Sequence, residues 1–473
     1  MKTNTRWPSL IVLCIGFLLI VVDMTIVNVA LPSIQRDLHF SQAGLAWVVN
    51  AYLIAFGGLL LLAGRAGDLF GRRRTFLIGL GIFVGASVLC GVSFNQPMLI
   101  AARFVQGIGG AVSSAVILAM IVTLFPEPGE QAKAFGIFSF VASAGAAVGL
   151  LAGGLITQAV SWHWIFFVNV PIGVATALAA ARLLANDRGL GVAGGADVLG
   201  AVLVTASLML AVYTISTRTF VTGGVSLVLL VAFIARQATA RNPIMPLRLF
   251  ASRKLAASNV VQALMSSAFF GFFFLGSLDL EQVLGYGPMA IGLAFLPVAA
   301  VMAAFSIRFS AQLIGRFGPV TVLAAGQGVA AVALAALAFG PTNATYAIHF
   351  LLPLALLGLG GGLSFPALTI IAMSGVSPAD AGMASGVLNT TGQVGGALGL
   401  AVLAALAGWR TLGLAGDGAA TAVAVAGGYH LAWLAGAGAV IGTLVLVVTV
   451  LRTHKAGDAY VPQADCIECE AAA

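Results

Sequence analysis

The stretch SLIVLCIGFLLIVVDMTIVNVALPS, residues 9–33, decides what class of protein this chain is. It holds a single charged residue, Asp23, and it is long enough to cross a bilayer, since a transmembrane helix needs about 20 mainly apolar residues. Lys2 and Arg6 precede it, as in a signal peptide, but no small-residue cleavage site follows. The stretch therefore predicts a transmembrane helix that is retained in the protein.

The composition extends this prediction to the whole chain. Of its 473 residues, 60% are hydrophobic and 8% are charged, whereas a soluble domain is only about half apolar. The mean hydropathy of +1.07 argues against a soluble enzyme. The net charge of +7 comes from basic residues that lie between apolar runs and form no continuous basic stripe. We therefore expect the lipid bilayer as a partner and no nucleic acid.

Apolar segments of spanning length recur from end to end, which predicts an all-α transmembrane protein with fourteen spans. They cover residues 9–33, 42–63, 75–94, 97–124, 134–157, 162–185, 197–217, 221–237, 255–280, 288–309, 319–339, 344–371, 385–408 and 429–451. Because this number is even, both termini are expected on the same side of the membrane.

Lysine and arginine residues indicate the orientation, because they are enriched in cytoplasmic loops. With a cytoplasmic N-terminus, only Arg36, Arg218 and Arg410 of the 22 Lys and Arg residues fall outside, and Arg103 lies within a span. The sequence therefore predicts that both termini are cytoplasmic.

The polar segments between spans are too short for a further folded domain. They are about 186–196, 238–254, 409–428 and 455–473. We find no phosphate-binding G-x-x-x-x-G-K-[ST] loop, no paired histidine and carboxylate cluster, and no nucleophile elbow. Cys466 and Cys469 have no second Cys or His pair beside them, which argues against a metal site. We therefore predict no enzyme activity, no cofactor and no metal, and we place the function in the helical bundle.

Two charged residues lie at depths where a bilayer penalises them. Asp23 lies about 15 Å below the outer surface and Arg103 about 9 Å below it, at 1.5 Å per helical residue. A long arginine side chain can bridge that difference. One interpretation is a proton-coupling pair in which Arg103 controls the protonation of Asp23; the alternative is a static ion pair that fixes helix packing.

The second motif is GRAGDLFGRRR, residues 64–74, between the second and third spans. Its glycines permit a tight turn and close helix approach, and its charges have opposite signs. A loop needed only for topology explains the arginines, whereas a charge lock between helices also explains the carboxylate and the glycine spacing. The residues assigned to this lock are Gly64, Asp68, Gly71, Arg72, Arg73 and Arg74.

Two further groups of residues are weaker candidates. The fifth span carries glycines four residues apart, which favours close helix packing. That helix-packing motif consists of Gly145, Gly149, Gly153 and Gly154. A candidate substrate site or second proton site consists of Asp279, Glu281, Asn28 and Gln106, although simple solvation at the interface also explains the two carboxylates.

Several segments, in order, resemble the major facilitator superfamily, and more narrowly its fourteen-helix drug:proton antiporters, the DHA2 multidrug exporters. DMTIVNVALP at 23–32 is similar to their first-helix motif, residues 64–74 to the superfamily's loop motif, and RFVQGIGGA at 103–111 to its fourth-helix motif. The resemblance implies a major facilitator fold, with two six-helix halves and two additional helices inserted between them. The implied domains are an N-terminal half at 9–185, an inserted pair at 186–254, a C-terminal half at 255–451 and a disordered cytoplasmic tail at 452–473.

The sequence departs from these relatives at a few positions. Ala146 and Leu150 stand where the fifth-helix motif usually has prolines, which predicts a straighter helix. His163 replaces the usual arginine before the sixth helix, and Asp279 and Glu281 replace residues that are generally uncharged.

The resemblance implies export of lipophilic or cationic drugs in exchange for protons, by alternating access, in the bacterial cytoplasmic membrane. A dedicated exporter of one endogenous metabolite, such as an antibiotic, a siderophore or an amino acid, is an alternative. A non-transporting sensor or scaffold is another, but it would not need Asp23 and Arg103 at matched depths. The implied partners are a small-molecule substrate and protons, and the need for a periplasmic adaptor stays open.

Overall fold

The computed structural model describes residues 6–451, apart from 188, 190, 192–194, 341–344, 375 and 377–379. The predicted tail, 452–473, lies outside the described residues, as do Cys466 and Cys469. The described chain is all-helical, and the helices α1 to α14 are Arg6–Asp37, Gln42–Phe70, Arg72–Gly91, Gln96–Leu124, Pro128–Ala159, Trp164–Leu183, Val198–Thr217, Phe220–Thr239, Arg253–Gln282, Pro288–Phe317, Pro319–Ala338, Tyr346–Met373, Ala381–Gly416 and Thr421–Leu451.

The predicted helical spans are present. Thirteen of these helices are long and apolar enough to cross a membrane. The remaining helix, α5, has 32 residues, of which Ala144–Ala159 form a further apolar stretch. The structure therefore agrees with the all-α transmembrane fold class.

Short polar side chains fix where several helices begin. Ser41 accepts a hydrogen bond from the backbone N–H of Gly44 at 3.0 Å before α2, and Asn95 accepts one from Met98 at 2.9 Å before α4. Such caps satisfy backbone donors that the first helical turn leaves unpaired. They fix the starts of α2 and α4 directly after the short turns that end α1 and α3.

The first six and the last six helices pack in the same pattern. In the first half, α1 contacts α5 and α6, and α4 contacts α2 and α3. In the second half, α9 contacts α13 and α14, and α12 contacts α10 and α11. Each helix of one half thus corresponds to the helix eight positions later. This repetition is the arrangement of two six-helix halves that the sequence resemblance implies.

The contacts between the halves follow the same correspondence, because α2 packs on α13 and α5 packs on α10. Glycines allow α5 and α10 to approach closely: a Cβ atom at Gly154 would lie 2.8 Å from the carbonyl oxygen of Pro288. A Cβ atom at Gly292 would lie 2.5 Å from the carbonyl oxygen of Leu150. Any larger side chain at these positions would push the halves apart.

We call the end of the bundle that carries Arg6 and Leu451 the terminal face, and the other end the opposite face. Polar bridges join the two halves at the opposite face. The amide of Gln282 donates to Gln35 at 3.1 Å, and Arg36 pairs with Glu281 at 3.0 Å. These bridges tie the end of α1 to the end of α9.

Helices α7 and α8 form the inserted pair, and α7 packs on α2 and α13. At the start of α7, Asp197 accepts hydrogen bonds from the Gly200 N–H at 3.0 Å, Arg236 at 3.0 Å and Gln237 at 2.8 Å. Burial alone would raise the pKa of Asp197, but these hydrogen bonds and the charge of Arg236 hold it below its usual value. The carboxylate therefore fastens α7 to α8.

Candidate functional site

The structure brings Asp23 of α1 and Arg103 of α4 together in the core of the first half. The guanidinium Nη1 lies 2.7 Å from a carboxylate oxygen of Asp23. Their exposed fractions are 0% and 1%, so this is a fully buried ion pair. The pairing that the depths of the two residues suggest is therefore present.

Three amide and hydroxyl side chains complete a network around the pair. Gln106 donates to Asp23 at 2.7 Å and accepts from Arg103 at 2.6 Å, while its amide nitrogen also lies 2.8 Å from the hydroxyl of Ser87. Asn169 of α6 donates to the same Asp23 oxygen at 3.0 Å. The carboxylate thus has three charged or polar donors, which offset the cost of burying it.

Arg103 has further partners that do not depend on Asp23. Its Nε donates to the carbonyl oxygen of Val48 at 3.0 Å, and its guanidinium lies 4.4 Å from the ring centre of Tyr52 and 5.8 Å from that of Phe166. A cation over an aromatic ring is stabilised electrostatically. If Asp23 became neutral, these groups and Gln106 would still hold the arginine, so the site can tolerate both states of the carboxyl group.

Sequence reasoning placed Gln106 in a different site, and the structure corrects this. Gln106 lies three residues after Arg103 on the same face of α4, and it touches Asp23 rather than Asp279. Tyr52 and Ser87 were not singled out by the sequence. Their signal was weak, because neither residue is unusual in an apolar helix.

The motif of residues 64–74, which joins α2 to α3, is held mainly by a carboxylate that the sequence did not indicate. Asp187, in the linker after α6, accepts from the backbone N–H groups of Arg72 at 2.7 Å and Arg73 at 3.2 Å, and so caps α3. Gly71 has a φ of +94°, a conformation that favours glycine, and a Cβ atom there would lie 2.7 Å from the Asp187 carbonyl oxygen. Asp68 pairs only at 3.8 Å with Arg72, and both side chains are partly exposed.

The arginines of this loop reach backbone carbonyls of neighbouring segments. Arg72 donates to the carbonyl oxygen of Ala119 at 3.2 Å at the end of α4, and Arg73 donates to that of Ala181 at the end of α6. Arg74 is exposed, and Gly64 faces open space. The described bonds therefore tie the loop to its own half and to the linker.

The glycine motif of α5 packs as the spacing suggests. A Cβ atom at Gly145 would lie 2.8 Å from Leu18, and one at Gly153 would lie 2.7 Å from the carbonyl oxygen of Ile26, both on α1. Gly149 faces Thr25 on the same helix. Gly154 instead faces α10 of the second half. The motif thus holds α5 against the helix that carries Asp23.

The remaining candidate group does not form one site. Glu281 pairs with Arg36 at the opposite face, whereas Asp279 is 6% exposed and lies inside the second half. Asn28 donates only to the carbonyl oxygen of Met24 on its own helix, at 3.1 Å. Solvation at the interface therefore does not describe Asp279.

His163, the residue that replaces an arginine before α6, stacks on Trp162 with ring centres 3.7 Å apart. Burial lowers the pKa of its ring, against the opposing effect of Asp37. Trp162 itself donates to Asp37 at 2.8 Å, which ties this turn to the end of α1. The histidine therefore fills a packed aromatic turn, in which burial disfavours its charged form.

Comparison with known proteins identifies the family. A sequence profile described as Major Facilitator Superfamily matches residues 13–400. The chain is a member of this superfamily. It is similar to the puromycin resistance protein of Streptomyces alboniger, with 38% identity over 472 residues, covering 96% of this chain and 93% of that one.

Other proteins similar to this major facilitator protein support the same family assignment. The cephamycin export protein CmcT of Amycolatopsis lactamdurans is 37% identical over 425 residues, covering 87% of each chain. A solved bacterial homolog to the human lysosomal transporter Spinster, in an inward-facing and unoccupied conformation, aligns with a TM-score of 0.69 at 18% identity. It covers 96% of this chain and 99% of that chain, which shows the shared fold. The protein is therefore an integral membrane transporter of this superfamily, similar to antibiotic resistance and export proteins.

Proposed function

We propose that this major facilitator protein exports lipophilic or cationic antibiotics across the bacterial cytoplasmic membrane in exchange for protons. The observation that carries the proposal is the buried pair of Asp23 and Arg103, with its surrounding donors. Charged side chains are costly to bury within a membrane, so those that are present usually have a function. The names of the relatives, which refer to resistance and export, support an antibiotic as cargo.

The proposed cycle uses the protonation of Asp23 as its switch. Protonation removes the negative charge and weakens the bond to Arg103, which keeps its contacts to Val48, Tyr52 and Gln106. Loss of the proton restores the pair. Because α1 contacts α5, α9 and α10, a change around Asp23 acts on helices that join the two halves. The inward proton gradient would then drive export of substrate.

Alternating access requires the halves to separate at one face while they close at the other. The bridges between Gln35 and Gln282 and between Arg36 and Glu281 support a state closed at the opposite face. With both termini cytoplasmic, as the distribution of Lys and Arg predicts, this face is the outer one. The proposal is thus that these bridges break when substrate is released outside.

Aromatic side chains between α9 and α12 suit a lipophilic substrate. The rings of Phe269 and Phe365 meet edge to face with centres 5.7 Å apart, and Phe269 and Phe273 lie 5.4 Å apart. These three side chains are partly exposed, although they lie near the middle of their helices. We propose that they line the substrate path.

A dedicated exporter of one compound is the second candidate. It is favoured by two of the relatives, which are named for a single antibiotic each, puromycin and cephamycin. The two candidates share the Asp23 site and differ in the number of compounds transported.

The test is protection of a drug-hypersensitive bacterium by the wild type, by Asp23→Asn and by Asp417→Asn, at equal membrane levels. Asp417 is an exposed carboxylate after α13 and serves as the matched control. We expect protection by the wild type and Asp417→Asn and its loss in Asp23→Asn. Protection from several unrelated compounds indicates a multidrug exporter, and protection from one indicates a dedicated exporter. Protection that persists in Asp23→Asn would refute the proton-site assignment.

A second experiment tests alternating access at the opposite face. Gln35→Cys and Gln282→Cys would be joined by a short bifunctional thiol reagent, in a background with Cys466 and Cys469 changed to serine. We expect transport to stop after cross-linking, while either single-cysteine variant treated in the same way stays active. Undiminished transport by the cross-linked protein would contradict opening at this face.

A further inference from the structure

Asp279 is a buried carboxyl group in the second half without a cation beside it. It lies three residues before the end of α9, and its exposed fraction is 6%. Within the described part of the chain, no Lys or Arg side chain lies within 4.0 Å of it, because Arg36 pairs with Glu281 instead. An isolated carboxylate in such a position is costly, and binding a proton removes its charge.

The carboxyl group borders a small cavity between α9, α11, α12 and α14. The cavity has a volume of about 20 Å³, and Asp279, His349 and His430 are its titratable lining residues. One water molecule needs about 10–15 Å³ when volume is measured in this way. The cavity therefore has room for a water molecule but not for a drug. His349 and His430 are both partly exposed.

The groups around this cavity include hydrogen-bond donors and titratable side chains. Nδ1 of His349 accepts the backbone N–H of Thr345 at 3.1 Å, which assigns the proton of the neutral ring to Nε2. The indole N–H of Trp433 faces Asp279 and has no other hydrogen-bond acceptor. The titratable or charged groups of the surrounding elements are Glu281, Tyr286, Tyr346, His349, Tyr429, His430 and, across the halves, Arg36.

Asp279 lies on α9, the helix of the second half that corresponds to α1, which carries Asp23. Asp23 is surrounded by α1, α3, α4 and α6, through Ser87, Arg103 and Asn169. The corresponding helices of the second half are α9, α11, α12 and α14, which enclose the cavity of Asp279. Asp23 lies 14 residues before the end of α1, whereas Asp279 lies three before the end of α9. This difference places Asp279 about 16 Å nearer the opposite face, at 1.5 Å per residue.

We propose that Asp279, His349 and His430 form a second proton-binding site that takes up protons from the opposite face. The Asp279 carboxylate accepts a proton through the cavity water and becomes a neutral carboxylic acid, and it returns the proton by the same route. The histidines line the same cavity and influence the charge of the carboxyl group. This site goes beyond the proposed function, because proton binding at Asp279 does not require coupling at Asp23.

The test is infrared difference spectroscopy of the purified full-length protein during a pH titration, without any drug. The signal is the carbonyl stretching band of a protonated carboxylic acid. We expect a titrating band that Asp279→Asn removes and that both Asp23→Asn and the exposed control Asp417→Asn retain. In His430→Gln the midpoint of this band should move, because a titratable neighbour in the cavity wall is replaced by a neutral amide.

Two results would overturn the proposal. The first is a wild-type band set that Asp279→Asn leaves unchanged. The second is an Asp279 band that titrates in both His430→Gln and His349→Gln with the same midpoint as in the wild type. If Asp279→Asn does not fold, Asp279→Glu serves instead: a shifted band supports the site, and an unshifted one refutes it. If Asp23 does not couple protons to transport, the Asp279 band is still expected, so the two proposals can fail independently.

Discussion

The two halves of this protein each bury a carboxyl group on their first helix, but they surround it with different chemistry. Asp23 has a paired arginine and two amide donors, whereas Asp279 has two histidines and a cavity for water. The same helix packing therefore accommodates an ion pair in one half and a neutralisable acid in the other. The comparison shows that corresponding helices can bury a carboxyl group at different depths, and that the neighbouring side chains set how its charge is compensated.

Among the variants that test this comparison, we expect removal of Arg103 to lower the unfolding free energy most. Arg103→Gln leaves Asp23 buried without its cation, and we expect a loss of about 3–5 kcal/mol in unfolding free energy at neutral pH. The loss should diminish as pH falls, because protonation neutralises the uncompensated carboxylate. His430→Gln should cost far less, since Asp279 has no ion pair to break. The measurement is denaturation by SDS titration of purified protein, with Arg410→Gln as the exposed control. Equal losses in the Arg103 and His430 variants would remove the distinction between the halves.

Glycine contacts test whether the two halves share the same close packing between their first and fifth helices. Gly149 of α5 faces Thr25 of α1, and Gly399 of α13 faces Ser267 of α9, so the two contacts join corresponding pairs of helices. Because a Cβ atom has no space at either position, Gly149→Ala and Gly399→Ala should each cost about 1–3 kcal/mol. Gly438→Ala, with nothing within 4 Å of its added Cβ, is the control and should not destabilise the protein. A cost in only one half would show that the packing is not equivalent.

Asp197 belongs to neither half, and its effect should be smaller and dependent on pH. Its Arg236 partner is 43% exposed, so we expect Asp197→Asn to cost about 1 kcal/mol. The folded protein holds the pKa of Asp197 below its usual value, so this contribution is present above the unfolded pKa and is lost as pH falls through the folded one. Wild type and variant should therefore converge in acid, as unfolding at several pH values will show. A gap that widens in acid would contradict the hydrogen-bonding account.

The bridge between the halves should contribute least to stability. Arg36 is 67% exposed where it pairs with Glu281, and exposed ion pairs are worth about 0–1 kcal/mol. Arg36→Gln should thus leave unfolding nearly unchanged, in contrast to Arg103→Gln. A loss as large as that of Arg103→Gln would show that the opposite face, rather than the core of the first half, holds the protein together.

The sequence predicted the helical fold and the central pair because both depend on signals local to each helix. Apolar run length gave the spans, and the depths of Asp23 and Arg103 along their helices brought them together. Gln106 was misplaced, although its spacing of three residues from Arg103 puts both on one face of α4. That spacing could have assigned it correctly.

Other parts of the site depend on contacts between distant segments, which spacing within one helix does not reveal. Asp187 caps α3 from more than 100 residues away in the chain, at 2.7 Å from the Arg72 nitrogen. The cavity beside Asp279 is likewise lined by His349 and His430, which lie on other helices. The place of Asp279 near the end of α9 suggested solvation. The cavity that it borders forms only when four helices pack together, so the sequence of one helix does not reveal it.

The central claim is that protonation of Asp23 couples proton entry to drug export. The most direct measurement is proton movement in proteoliposomes, driven by a gradient of a compound against which the wild type protects cells. We predict proton flux with the wild type and with Asp417→Asn, and none with Asp23→Asn, although that variant still binds the compound. Compound-driven proton flux through Asp23→Asn at the wild-type rate would contradict the account.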